Sequence, residues 1–353
     1  MAHRTNMMTP KMTRPITATD SMAPSNIVSQ VEHERASSHS HGVAYLGKTS
    51  AIGGQGNELE NEVTFPSKVA RTMWSTSEPF VATGLICVEG LTAATELGIP
   101  KGAAFFAVRG APMGAANTAI FAAAFHGFAL DRLQDGLTAT WAATTPQAVI
   151  EATHQAIPKM ALRVFGDSQN IDSIDRVGSL LAQLVANLDV SGRPLAAGNK
   201  AVTSPSEPWA KLWRAWNTLR EYRGDAHIAT LVASNLTVDE AQVLSATWGA
   251  AKYDVELLRK TRGLDDPRWA AAQSQLMNRD LLNSDGSITD AGTALRDDIE
   301  LRTDAACMNA WNQLSDSALE DVRSVTYALS AHIIDAELFP VRSAVGAPWP
   351  PSE

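Results

Sequence analysis

The stretch VDEAQVLSATWG (residues 238–249), followed by KYDVELLRKTRG (252–263), DDPRWAAAQSQLMNRDLL (265–282), NSDGSIT (283–289) and DAGTALRDDIELRTD (290–304), carries the clearest pattern in the chain. Ala241, Val243, Leu244, Thr247 and Trp248 recur at the spacing that gives a helix one apolar stripe, and Gly249 stands where such a helix stops. The next segment offers Val255 and Leu258 to a core and ends at Gly263. Asp265 and Asp266 stand just before Pro267, so a carboxylate caps free backbone N–H groups while proline takes a first-turn position that needs no donor. Trp269, Ala272 and Leu276 then share one face of the third helix, and Arg268, Gln275 and Arg279 the other. Asp285-Gly286 suits the positive backbone angles of a type I′ hairpin turn. Thr289 caps a last helix in which Ala291, Leu295 and Ile299 recur every four residues.

Three helices, a short hairpin and a further helix make up a winged helix-turn-helix. The run RDLLNSDG to SITDAGTALRDDIELRTD resembles the recognition-helix end, wing and following helix start of the MarR family of winged-helix regulators. LREYRGDAHIATLVASNLTVDEAQVL (219–244) and VRGAPMG (108–114) look like a family of actinobacterial winged-helix proteins related to MarR, a resemblance extending from about Ser67 to Asp335. It implies that the helix from Pro267 to Asp280 enters the major groove, with Arg268, Gln273, Gln275, Asn278 and Arg279 as contacts of the types that bond base edges or phosphates. Two departures weigh against tight operator binding. The wing tip is Ser284-Asp285-Gly286 where MarR wings usually carry an arginine. Residues 211–303 also hold 12 basic against 14 acidic side chains, few partners for the neutralised phosphates whose counterion release drives affinity.

The whole chain of 353 residues has 29 basic and 38 acidic side chains, a net charge of −9 and 45% hydrophobic content. That is enough for a sizeable core, and any nucleic-acid contact is expected to be local. Cys87 and Cys307 lie far apart, without disulfide or zinc spacing. The Ala-rich run from Ala115 to Ala129 is broken by Asn117, His126 and Gly127, so no membrane span is expected. The first residues lack a secretory core, which makes a cytoplasmic protein the expectation.

Residues 1–60 read as a disordered tail; its His39 and His41 form an i, i+2 pair that either chelates a metal or is simply part of a polar tail. A helical lobe with a degenerate winged helix is expected over 65–190, a winged lobe over 195–335, with Ser191 to Pro194 as linker, and a proline-containing tail over 336–353. A break or kink is expected at Ser75 to Pro79, and breaks at Thr144 and Thr145 and at Pro158. Arg109-Gly110-Ala111 and Arg262-Gly263-Leu264 each precede a proline and a helix, and each follows a glutamate beside an aromatic residue, Glu78 with Phe80 and Glu221 with Tyr222. This repeat would make the chain a MarR-type dimer fused into one polypeptide, mainly α with a small β wing, acting as a monomeric pseudo-dimer or as a homodimer.

Polar residues concentrate at Arg220-Glu221-Tyr222-Arg223-Gly224-Asp225-Ala226-His227, on a helix carrying Trp209, Leu212, Trp213, Trp216 and Leu219. They form either a salt-bridged interface or a small-molecule pocket in which Arg109 and Arg223 hold an anionic or aromatic ligand, His227 hydrogen-bonds to it, and Trp213, Trp216 and Phe106 form the walls. His126, His154 and His227 come without catalytic or phosphate-binding motifs, so no cofactor and no reaction is assigned.

Overall fold

The computed structural model describes residues 65–351 except 129, 168 and 250–252. The tail expectation and the His39/His41 pair lie outside the described residues. At the centre of the molecule is the tryptophan-rich helix, Pro208–Ala233. Glu207 caps it through Ala210 N, and Pro208 occupies the first turn. Its buried residues fall on all sides, as expected of a helix enclosed by others.

In chain order the helices are α1 (Phe65–Ile86), α2 (Val88–Glu96), α3 (Ala104–Gly110), α4 (Thr118–Phe125), α5 (Leu130–Ala143), α6 (Pro146–Phe165), α7 (Ile171–Ala186), α8 (Pro194–Ala201), the central α9 (Pro208–Ala233), α10 (Val238–Trp248), α11 (Val255–Arg262), α12 (Asp266–Asn278), α13 (Asp290–Trp311) and α14 (Asp316–Asp335). Helices α1, α6, α7, α8 and α13 pack around α9. The main core runs continuously from Ala70 and Phe80 through Ile157, Leu181 and Trp213 to Trp311 and Ile333.

The expected break at Ser75 to Pro79 does not occur: α1 continues through Pro79. Ser75 Oγ donates to the Arg71 carbonyl (2.9 Å) and Ser77 Oγ to the Trp74 carbonyl (3.2 Å), so both serine hydroxyls are satisfied along the helix that buries them, whereas the Thr76 hydroxyl between them is buried without a partner among the described residues. Pro158 likewise sits inside α6, whereas Thr145 does end the preceding segment and caps α6 through Ala148 N. Near the end of α1, Gly84 lets Trp213 approach closely. A Cβ at Gly84 would stand 2.1 Å from Trp213 Nε1, which donates to the Val81 carbonyl at 3.1 Å. Gly84→Ala is therefore expected to cost about 1–3 kcal/mol in urea denaturation, as overpacking of a core does; an unchanged midpoint would show that the tryptophan can move aside.

The helix-turn-helix region follows its sequence closely. Thr237 and Glu240 form a reciprocal capping box on α10. Asp254 caps α11, Gly263 ends it in the left-handed region (φ 75°), and Asp265 caps α12 through Arg268 N. Thr289 caps α13 through Gly292 N. Leu231, Leu244, Leu276, Leu282 and Ile299 close a second core beneath these helices.

The wing is smaller than expected, a single antiparallel bridge between Leu282 and Ile288. Asn283 N donates to Ser287 O (2.8 Å) and Gly286 N to Asn283 O (2.9 Å). The loop thus has three residues, with Gly286 alone at positive φ (83°). This is a type I turn closed by a glycine bulge in place of the expected type I′ turn, because Asp285 does not take the positive φ that type I′ demands. Among the described residues no bridge pairs residues 65–190, so nothing there corresponds to a second wing.

Beyond α14 the chain turns back along the helix-turn-helix region. Ser343 forms a parallel bridge with Tyr253, and Asp254 N donates to the Ser343 carbonyl (3.3 Å). Arg342 donates to the Tyr253 carbonyl (2.7 Å), and Trp349 stacks on Tyr327. Phe339 and Ala347 are buried. The segment expected as a tail is a strap fastened to the residues that lead into α11.

Candidate functional site

Two adjoining cavities lie where α1, α9, the Arg109 and Arg262 helix ends and the C-terminal strap meet. The first, about 150 Å³, is lined by Arg71, Arg109, Arg220, Arg223 and Arg262, together with aromatic residues including Trp74 and Trp248. The second, about 350 Å³, is largely apolar and lined by Leu85, Phe105, Phe106, Phe128, Leu257 and Phe339, among others. Glu78, Arg109, Arg220, Arg262, Ala344 and Val345 border both.

Most of the charge in the first cavity is paired. Arg109 makes a bidentate bond to Glu221 (2.7 and 2.7 Å) and lies 4.5 Å from the Phe125 ring centre. Arg220 grips Glu78 through Nε (3.0 and 3.1 Å) and Nη2 (2.9 Å) and also donates to Glu221 (3.1 Å). Arg223 reaches Glu300 (2.9 Å) and Asp304 (3.3 Å) beneath the Trp74 ring, and Arg71 pairs with the same two carboxylates. Burial pushes the Glu221 carboxyl up, but Arg109 and Arg220 outweigh it and hold that carboxyl below its ordinary range.

Arg262 differs. Among the described residues no carboxylate is in ion-pair reach of it, its Nε has no hydrogen-bond partner, and its guanidinium rests 4.3 Å from the Phe128 ring centre. Burial, reinforced by the charges of Arg109 and Arg220, pushes it down to about 9. Arg296, 1% exposed, bonds Glu300 through Nη2 (2.6 Å) while its Nε and Nη1 are unpartnered. Six guanidinium groups, of Arg71, Arg109, Arg220, Arg223, Arg262 and Arg296, thus face the four carboxylates of Glu78, Glu221, Glu300 and Asp304, a surplus of two cations. His126 ends α4 in the left-handed conformation (φ 34°), and its Nδ1 is buried without a partner at the same cavity. A non-glycine residue held there is strained, and such strain concentrates at functional sites.

His227 Nδ1 lies 3.1 Å from Thr303 Oγ1, whose proton goes to the Ile299 carbonyl (2.7 Å). The imidazole therefore carries its proton on Nδ1 and keeps Nε2 as an acceptor. Burial pushes His227 down to about 3 against the pull of Glu300, so it is neutral at physiological pH. Asp225 faces elsewhere: it accepts from Leu195 N and Ala196 N (3.4 and 2.8 Å) at the start of α8. His154 Nε2 accepts from Arg214 (3.0 Å) at a separate buried site.

Of the residues expected to line a pocket, Arg109, Arg223 and His227 meet at the first cavity and Phe106 borders the second. Trp213 and Trp216 line neither. Their indoles point into the core, where Trp213 donates to the Val81 carbonyl and Trp216 to Thr326 Oγ1 (3.1 Å each), because an interior helix must satisfy its N–H groups internally. The aromatic walls come from Trp74 and Trp248, and from Phe125 and Tyr253, instead. Arg262 carried a signal in the Arg-Gly repeat; the strap carried none.

On α12, Arg268 makes a bidentate bond to Asp239 (2.9 and 2.7 Å) and Arg279 donates to the Asn235 carbonyl (2.9 Å) and Glu240 (3.4 Å). Both arginines brace α12 against the start of α10. Gln275 and Asn278 are exposed, and Gln273, half-buried, sits against the wing glycine, Gly286.

A helix-turn-helix family model matches residues 70–340. The chain belongs to this helix-turn-helix family. The match takes in the wing and most of α1 and ends at Pro340, so the strap residues Ala344 and Val345 that border both cavities lie beyond it. Comparison with curated proteins and with solved structures gave no match. Membership points to DNA binding in general terms, and among the described residues no helix is long and apolar enough to cross a membrane.

Proposed function

We propose that this helix-turn-helix protein is a MarR-like, cytoplasmic, DNA-binding transcriptional regulator whose affinity for DNA is set by a small ligand in the arginine-lined cavity. The observation that carries this reading is the position of Arg262. It is the last residue of α11, it faces the cavity, and α12 starts at Asp266. A ligand that draws in Arg262 acts on the turn from which α12 departs, and a ligand with unequal affinity for two positions of that turn shifts DNA affinity.

A single-chain pseudo-dimer of 65–190 and 195–335 also agrees with the pairing of Arg109 from the first half with Glu221 from the second. The matching partner of Arg262 would be Glu78, which Arg220 holds instead. The DNA-facing residues in this reading are Gln273, Gln275 and Asn278 on α12, with Arg268 and Arg279 shaping the helix's position. Anisotropy titrations with the DNA flanking the protein's own gene are expected to show binding at low salt that falls steeply as salt rises. Gln275→Ala with Asn278→Ala should weaken it at unchanged thermal stability, and Arg268→Ala should weaken it while costing about 0.2–1 kcal/mol of stability. Absence of binding at low salt would overturn the regulator reading.

A second reading rests on the internal engagement of Arg268 and Arg279 and on the exposed Asp265, Asp266 and Asp280 beside them. It is a cavity protein on a helix-turn-helix scaffold that no longer reads DNA, and the same titration separates the two.

A further inference from the structure

Several buried polar atoms at the first cavity have no partner: Arg262 Nε, His126 Nδ1 and Arg223 Nε. Buried polar groups are ordinarily hydrogen-bonded, and buried charges paired, because leaving them bare costs several kcal/mol. Here they occur together, around a cavity lined by the guanidinium groups of Arg71, Arg109, Arg220, Arg223 and Arg262 and by the carboxylates of Glu78 and Glu300. The paired arginines already have their anions. Among the described residues Arg262 has no anion in ion-pair reach, its Nη2 donating to the Ala344 carbonyl at 3.5 Å, and the carboxylate best placed to serve it, Glu78, is held at three contacts by Arg220.

Arg262 also borders the apolar cavity. There the walls are aliphatic and aromatic, from Leu85 and Ile86 on α1, Phe105 and Phe106 on α3, Leu257 on α11, and Phe339 on the strap. A hydrated ion alone would leave this surface in contact with water. An uncharged apolar molecule would leave Arg262 unpaired.

Taking the effector cavity of the proposed function as its place of action, we propose that the ligand is an amphipathic carboxylate. Its head pairs with Arg262 at the boundary of the two cavities, and its apolar chain or ring fills the space between Phe106, Leu257 and Phe339. Such a molecule touches α11 through both Arg262 and Leu257, and touches the strap through Phe339. Both contacts bear on the segment from Tyr253 to Arg262 that the strap fastens.

The experiment compares octanoate, acetate and octanol on the full chain without DNA, by thermal shift and isothermal titration calorimetry. Octanoate is expected to raise the melting temperature in proportion to the logarithm of its concentration. Acetate lacks the tail and octanol the charge, so each should bind at least about tenfold more weakly, the loss of a charged hydrogen bond or of a buried chain. Arg262→Ala should fold normally, since it strands no carboxylate, and should weaken octanoate at least about tenfold.

Gly102 borders the apolar cavity, and a Cβ there meets nothing within 4 Å. Gly102→Phe fills that space without disturbing Arg262, and should weaken octanoate while leaving acetate unchanged. Equal binding of acetate and octanoate, octanoate binding indifferent to both substitutions, or no stabilisation by octanoate would each overturn the proposal. Because DNA is absent from these measurements, a protein that binds octanoate but no DNA would refute the regulator reading alone. One that binds DNA but not octanoate would refute the ligand class alone.

Discussion

Arg220→Ala is expected to lower the free energy of unfolding by about 3–5 kcal/mol, the cost of breaking a buried ion pair by removing one partner. Glu78 is 1% exposed and Glu221 is fully buried, and Arg220 supplies hydrogen bonds to both. Without it Glu78 loses the one cation within ion-pair reach of it among the described residues and keeps the neutral indole of Trp74, which donates to it at 3.2 Å. Glu221 keeps the bidentate Arg109, so the larger share of the loss falls on Glu78. The double variant with Glu78→Gln should therefore recover part of the stability lost in Arg220→Ala, since the stranded charge is gone. Chemical denaturation of the two single variants and the double variant measures this. A loss below about 1 kcal/mol in Arg220→Ala, or a strictly additive double variant, would contradict the pairing described. Arg262→Ala is the natural control, because its removal orphans no described carboxylate.

Acidification from pH 6.5 to pH 5 is expected to cost the wild type about 1.6 kcal/mol more than His227→Gln, because the unfolded histidine is half protonated at the start and the cost approaches about 1.4 kcal/mol per pH unit only below that. Burial pushes His227 down to about 3; Glu300 opposes that, and Arg296, Arg223 and Arg71 add to it. The unfolded chain takes up this proton near the ordinary histidine value of 6.5, whereas the folded chain does not. The unfolded state thus binds more protons throughout the interval, and stability falls as pH falls. His154, pushed down to about 4 by burial and then by Arg214, contributes in the same direction. Asp225 contributes in the opposite direction. Burial raises its carboxyl to about 6 despite the Ala196 and Leu195 amides, so its share of stability is present at low pH and is lost as pH rises through about 6. Both of these groups are present in the wild type and in His227→Gln, so the difference between the two isolates His227. Parallel pH profiles for the two proteins would show that His227 ionises inside the fold.

The helix-turn-helix itself was legible because its signals are local. Asp265 with Pro267, Gly263 and Thr289 act on backbone groups within four residues, and the structure places a helix boundary at each. The expected breaks at Ser75 to Pro79 and at Pro158 failed for the opposite reason. Propensity is a weak prior, and burial of α1 and α6 against α9 overrides it. The type I′ turn misled in a similar way: an Asp-Gly pair suits two turn geometries, and the spacing from Leu282 to Ile288 selects the one with three loop residues.

The polar cluster on α9 was visible as composition, and its two readings were salt-bridged interface and pocket. Which arginine is paired depends on carboxylates far away in sequence: Arg109 meets Glu221, Arg220 meets Glu78, and Arg223 meets Glu300. Spacing along one helix cannot report such partners. The strap, which borders both cavities through Ala344 and Val345, left no periodicity because it is held by bonds to the Tyr253 region, with Val345 N to Ser343 Oγ inside it, and not by a repeating ladder of its own.

Helix caps, apolar stripes and the order of the helix-turn-helix elements were thus determined by the sequence alone, since each is an interaction between neighbours along the chain. Tertiary structure alone decided that the Trp213 and Trp216 indoles point into the core, that Arg268 and Arg279 brace α12, and that Arg262 is left without a carboxylate among the described residues. Each of these depends on which distant group reaches a buried donor first, and burial makes that choice costly to reverse.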